Sequence, residues 1–370
     1  MYCTVLIYTT TIDKLKLINL EKVSMSKTNQ TENPLVEAFN TVSHFAETMT
    51  TEGQKLLEKT TVTTGKTLET IANNPILKSA DKIIGLDWLM TLLGKADIAK
   101  VQATVNEMRA QYPQETPNQI AHRLVVQKAW QGGRLGLLTN IIPPVAALFL
   151  GIEVIATAKL QTEMVYEVAA VYGLDLNEPA RRGEVLAIFG LSLGADVIKT
   201  GLGVVEIIPG IGAVVGASTN AAMLYVLGRT TCRFYEQKER SDSEVTSIQT
   251  QTDADWQIAI AQSRVMDRIL AHMVRVSYPN QSWSEILPKM PDTLPASIKT
   301  IALNSEQSQS LASLLEELSP DFAPLTLSRC YDIAMSNGDL TLKEQEVLSQ
   351  IAIKFDLDMS GLKNNNQPII

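Results

Sequence analysis

The chain has 370 residues and a mass of 40.6 kDa, enough for two or three domains at about 150 residues each. Apolar residues make up 45% and charged residues 19%, with a mean hydropathy of +0.05, which excludes a disordered chain and leaves a large surface to bury in protein or in lipid. A net charge of −8 excludes a sequence-independent nucleic-acid binder; Cys3, Cys232 and Cys330 are too few and too far apart for a disulfide framework or a cysteine metal cluster, and three histidines leave little for a His-rich centre.

The first 33 residues read as an extension outside the folded part. They carry neither a signal peptide nor a transit peptide, and the polar run from Met25 reads as the natural start of translation, with a short natural extension from Met1 as the competing reading. From residue 34 to 74 the apolar positions, among them Leu35, Phe39, Val42, Phe45, Met49, Leu56 and Leu68, recur at helical spacing. The opposite face is Thr, Gln and Glu, so this is an amphipathic helical region that can pack on the rest of the chain or lie on a membrane surface. Within it Gly65-Lys66-Thr67 resembles the end of a phosphate-binding loop, but Thr60 stands where that loop needs its first glycine, and no strand precedes it. No nucleotide or other cofactor is expected.

Residues 75–240 read as a hydrophobic helical domain. Its first part is punctuated by Pro75, Gly94 and the turn from Pro113 to Pro117, where Thr116, Pro117 and Gln119 make a helix start. Two segments are then long and apolar enough to cross a bilayer: Leu135–Ala158, 24 residues with Glu153 as their one charge, and Ile207–Gly228, 22 residues with none. Between them Val185–Val205 carries Asp196 and Lys199. In a membrane Glu153, Asp196, Lys199 and Glu206 would be the functional candidates, because an intramembrane charge is costly unless paired or wet; in a water-soluble bundle they are surface or capping groups. Gly190 and Gly194, and Gly212 and Gly216, have the spacing of small residues where helices approach closely. The basic residues Arg229, Arg233, Lys238 and Arg240 favour a cytoplasmic C-terminal region. A bundle of fully buried helices is the competing reading of the same apolar segments.

Gly190-Leu191-Ser192-Leu193-Gly194 also fits a nucleophile elbow, with Val185–Phe189 as its strand and His272 as the histidine that must follow. No alternation of strand and helix precedes Ser192, so a serine hydrolase is the minor alternative and no catalytic residue is expected.

Several of these residues carry a resemblance. The run from Pro143 through Met164 to Tyr172 and Gly173, the pair Arg181 and Arg182, and the stretch IIPGIGAVVGA followed by Asn220 resemble the helical domain-of-unknown-function family 697. They are also similar to the EcsC-like helical proteins. The resemblance spans about residues 133–235 and implies a bacterial, notably cyanobacterial, membrane-associated helical module with no enzymatic activity. The family is often fused to, or encoded with, small GTPase domains. No GTPase is in this sequence, so a GTPase would have to act in trans.

Residues 241–255 are polar, lack apolar periodicity and read as a linker. Residues 1–240 carry 23 acidic and 23 basic side chains, against 17 and 9 in residues 241–370, so the acidic surplus belongs to the C-terminal part. Residues 256–370 therefore read as a separate acidic helical domain that binds a protein partner. Near its end Leu325–Leu357 reads as helix, turn, helix, and SNGDLTLKEQEVLSQIA resembles the repeated unit of the TerB-like domain. Read as a calcium loop it places Ile333 and Met335 where carboxylates are required, whereas Thr341 and Glu344 make a capping box. No metal is expected. The whole is predicted to be all-α, a Gly-rich hydrophobic helical bundle with a smaller acidic C-terminal domain, non-enzymatic, membrane-localised with lipid as a partner, and compatible with a homo-oligomer.

Overall fold

The computed structural model describes residues 96–138, 146–193, 217–240, 245–286, 309–336 and 338–362. Among them every regular element is helical and no strand occurs. The amphipathic region expected at 34–74, with Gly65-Lys66-Thr67, and the extension before it lie outside the described residues.

Helix α1 (Ile98–Gln111) starts where the Asp97 carboxylate accepts from the Lys100 backbone N–H at 3.0 Å. Helix α2 (Pro117–Leu138) starts as the sequence predicts. Gln119 Oε1 accepts from the Thr116 N–H at 2.9 Å, Thr116 Oγ1 accepts from the Gln119 N–H at 3.4 Å, and Pro117 takes the position whose missing N–H costs nothing. Helix α3 (Ala146–Val171) ends at Gly173, whose φ of +75° is open to glycine; the Gly173 and Leu174 N–H groups return to Ala170 and Ala169. That reversal brings α4 (Ala180–Leu193) back beside α3.

Helix α5 (Ala217–Arg240) packs antiparallel on α2 along much of its length. Glycines set the closeness of this crossing. A Cβ on Gly132 of α2 would lie 1.9 Å from Leu224 Cδ1, and a Cβ on Gly228 of α5 would lie 2.4 Å from Val125 Cγ1. Each helix therefore inserts a branched side chain over the other's glycine, and the surroundings, Leu124, Val125, Leu224, Val226 and Leu227, are fully buried.

Helix α6 (Val245–Ser277) lies against α5, followed by a single turn, α7 (Trp283–Ile286). The stretch expected to be a linker is thus helical from Val245. Ile248, Thr252, Asp255, Trp256 and Ala259 form its buried stripe. Two of those five are polar, and each is paired: Thr252 Oγ1 lies 2.9 Å from Thr230 Oγ1, and Asp255 accepts from Arg233. The partners sit on α5, so polarity that read as a linker is half of an interhelical seam.

The C-terminal elements are α8 (Leu311–Glu317), a 3-10 turn at Pro320–Phe322, α9 (Ala323–Met335), α10 (Leu342–Phe355) and a last 3-10 turn at Ser360–Leu362. The predicted helix–turn–helix is present, and Thr341 and Glu344 form the capping box that starts α10. These helices dock on the preceding ones: α9 packs on α6 and α2, Leu325 covers Gly133, and Arg329 Nη2 donates to the Gly133 carbonyl at 2.9 Å. All described residues fall in one compact unit.

No helix among the described residues is long and apolar enough to cross a membrane. Of the two segments expected to do so, Leu135–Ala158 is described as far as Leu138, in α2, and again from Ala146, in α3. Ile207–Gly228 is described from Ala217, and its last turns are buried, with Leu224 and Gly228 seated on α2.

Candidate functional site

The chemistry-bearing side chains gather along α3 and around the start of α4. Glu163 and Glu167, one turn apart on α3, are almost completely buried. Lys128 of α2 lies 2.9 Å from Glu167 and 3.9 Å from Glu163, and Lys100 of α1 donates to both Glu163 oxygens at 3.0 and 3.2 Å. Lys159, one turn earlier on α3, reaches Glu163 at 4.0 Å, so three ammonium groups meet two carboxylates, and α1, α2 and α3 are tied together at this point. Burial pushes the Glu167 carboxyl above its ordinary value, opposed by Lys128.

A second group follows the α3–α4 reversal. Asp175 Oδ1 accepts from the Asn177 N–H at 2.9 Å and shapes the turn into α4. In the first turns of α4 Arg181 is 2% exposed and Glu184 1%. Glu184 accepts three bonds: from Arg181 Nη1 at 2.6 Å, Tyr235 Oη at 3.0 Å and Lys238 Nζ at 2.7 Å. Arg181 Nη2 also donates to Glu178 at 3.1 Å. Burial opposes the Arg181 charge, yet Glu184, Tyr235 and Glu178 outweigh it and hold the guanidinium firmly protonated. Burial, with Glu184 adjacent, raises the Tyr235 phenol well above its usual range, so it acts as a donor.

Arg182 is different. It is 7% exposed, its Nη1 is buried without a hydrogen-bond partner, and no ion pair reaches its guanidinium among the described residues. It lines a small pocket of about 70 Å³ with Tyr166, Asn177, Glu178, Ile98, Leu176 and Pro179. Burial raises the Tyr166 phenol, and the charges of Arg182 and Arg181 oppose that rise.

A third polar contact joins the C-terminal elements to the bundle. Asp321 Oδ1 lies 2.9 Å from His122 Nε2 of α2, and Asp321 Oδ2 accepts from Tyr225 Oη of α5 at 3.0 Å. Burial alone would raise Asp321, but the bonds from His122 and Tyr225 outweigh it and leave the carboxyl below its usual value. Cys232 and Cys330 are buried thiols, and burial pushes Cys232 up to about 12.

The residues singled out in the sequence fall elsewhere. Gly190 is buried in α4, and Glu153 lies in α3 with its side chain outside the description. Gly194, Asp196, Lys199, Glu206, Gly212 and Gly216 lie outside the described residues. Ser192 is not on a nucleophile elbow: Val185–Phe189, offered as its strand, is the middle of α4. The serine is buried, its hydroxyl donates to the Ile188 carbonyl at 2.6 Å, and its own carbonyl accepts from the Trp256 indole at 2.8 Å. A hydroxyl committed to its own helix and covered by Trp256 is not presented to a substrate. His272 is half-buried on α6, is not among the hydrogen-bond partners of Ser192, and is held below the usual imidazole value by burial.

No protein family, curated protein or solved structure matches the chain. The buried charges Lys128, Glu163, Glu167 and Glu184 do not stand out in the sequence, because they lie outside its two longest uninterrupted apolar stretches. A usable signal was present: Glu163 and Glu167 stand four apart in TEMVYEVAAV, where apolar residues fall on every face. Charges on such a helix are buried and must be paired.

Proposed function

We propose that the chain is a non-enzymatic helical scaffold that anchors or remodels membrane through its apolar segments and engages a protein partner through its acidic C-terminal helices. The observation that carries the scaffold reading is the use made of buried polar groups. Glu163, Glu167, Arg181, Glu184, Asp255 and Asp321 each bridge helices or lock the start of one, and Ser192 bonds within its own helix. Groups engaged in this way hold helices in register rather than turn over a substrate.

Membrane association rests on Ile207–Gly228, 22 residues without a charge, and on the resemblance to bacterial membrane-associated modules. A scaffold that never enters the bilayer and works with a GTPase in trans is the second reading. It is favoured by the seating of Leu224 and Gly228 on α2, where the apolar surface is already covered by protein.

Fractionation of the full chain expressed in bacteria, with a carbonate wash of the membrane pellet, separates the two. Retention after the wash supports insertion. Recovery of the chain in the supernatant overturns the membrane part and leaves the scaffold, whose partner is then sought by cross-linking through the C-terminal helices.

A further inference from the structure

The pocket at the start of α4 lies outside the scaffold's own pairing. Charges near it are balanced two against two: Arg181 and Lys238 against Glu178 and Glu184. Arg182 is the surplus. It occupies the first turn of α4, where the positive end of the helix already disfavours a cation, and its buried Nη1 has no partner. A buried guanidinium without a counter-charge is among the more costly arrangements in a folded protein, and a carboxylate or ordered anion normally resolves it.

We propose that this pocket binds a small oxyanion, a phosphate group, with the Arg182 guanidinium as its charge partner and the Tyr166 hydroxyl as a second donor. The volume of about 70 Å³ holds a tetrahedral oxyanion or a few waters and is too small for a nucleoside. Tyr166 is buried and lines the pocket, where its hydroxyl can donate. Arg182 and Tyr166 both line this pocket, which places the two groups on the same space. The Arg181 and Arg182 N–H groups return to Glu178 and Pro179 carbonyls, so the helix contributes its dipole rather than direct bonds. Glu178 is the one carboxylate on the wall; it is engaged by Arg181 and half-exposed, which leaves the Arg182 charge for the ligand. A single surplus positive charge suits a phosphodiester or a singly charged phosphate ester. The source is either a lipid headgroup or a free phosphate compound.

The test titrates inorganic phosphate into the full chain at constant ionic strength against chloride, read by melting temperature and calorimetry, in wild type, R182M and Y166F. The expected result is saturable binding that raises the melting temperature of wild type, weakened about tenfold or more in R182M and about threefold or more in Y166F. R182M without phosphate is expected to melt at or above wild type, because it removes an uncompensated charge. Absence of a saturable response in wild type overturns the proposal, as does a response kept in full by both variants. Should R182M fail to fold, Y166F decides, and an undiminished response in it overturns the site. Phosphatidylglycerol vesicles then separate the sources. Sedimentation with them that is lost in the variants and displaced by free phosphate assigns a headgroup; a phosphate response without sedimentation assigns a free phosphate compound.

Discussion

Glu184→Gln is the sharpest probe of whether pairing of buried charge holds this bundle together. The substitution keeps the shape and removes one charge from a carboxylate 1% exposed that accepts from Arg181 at 2.6 Å, Lys238 at 2.7 Å and Tyr235 at 3.0 Å. Breaking a buried pair costs about 3–5 kcal/mol, because the remaining partner stays buried and charged. The lower end applies here. Lys238 is 30% exposed and regains water, and Arg181 keeps Glu178. At about 2–4 °C per kcal/mol for a large domain, a loss of about 3 kcal/mol lowers the melting temperature by about 6–12 °C. Urea unfolding followed by far-ultraviolet circular dichroism supplies the free energy. The double variant E184L/R181M removes both charges and is expected to lie within about 2 kcal/mol of wild type, the residue being the orphaned Tyr235 hydroxyl. A loss below about 1 kcal/mol in E184Q, or a double variant as damaged as the two singles added, would refute the reasoning.

Two further perturbations probe the packing and the C-terminal junction. Gly228→Ala drives a Cβ to 2.4 Å from Val125 Cγ1 and 2.9 Å from its Cβ, while Gly132→Ala meets chiefly the end of Leu224. A β-branched side chain has no room to turn, so Gly228→Ala is expected to cost about 1–3 kcal/mol in urea and Gly132→Ala less; equal or greater stability of Gly228→Ala would show that the crossing is looser than described. Asp321 is held below the usual carboxylate value, so the unfolded chain binds its proton first as pH falls; the stability it adds is complete above the unfolded value of 3.8 and is lost as pH drops through the folded one. Asp321→Asn should therefore lower the urea midpoint at neutral pH and flatten its fall on acidification, and an acid limb as steep as wild type would remove Asp321 from the account.

Helix starts were the most legible features of the sequence, because a cap is a local code. Thr116-Pro117 with Gln119, and Thr341 with Glu344, sit where their residue types put them. The segment 241–255 was illegible for an equally physical reason. Its core positions include Thr252 and Asp255, and their suitability for a core depends on Thr230 and Arg233, 22 residues earlier on another helix. A hydropathy scan assigns such residues to solvent, since it cannot see a partner. Buried charge was hard to read for the same reason. Glu153, Asp196, Lys199 and Glu206 stand out by contrast with apolar neighbours and their side chains lie outside the described residues, while Glu163, Glu167 and Glu184 are buried beside partners on other helices.

The two buried charge groups also explain why a single arginine can carry a ligand here. A guanidinium is a selective donor only when its surroundings are rigid, since a mobile one rearranges to find a carboxylate. Arg181, next in sequence, already holds both neighbouring carboxylates, Glu178 and Glu184, and Lys238 takes the remaining oxygen of Glu184. Arg182 is thereby denied a partner by the pairs around it, and Gly173, with Asp175 after it, fixes the turn that places the pocket against α3. On this reasoning E184Q has a second consequence: Arg181 is left with Glu178 as its one carboxylate and holds it, so Arg182 stays without a partner and phosphate binding is kept even though the fold is less stable.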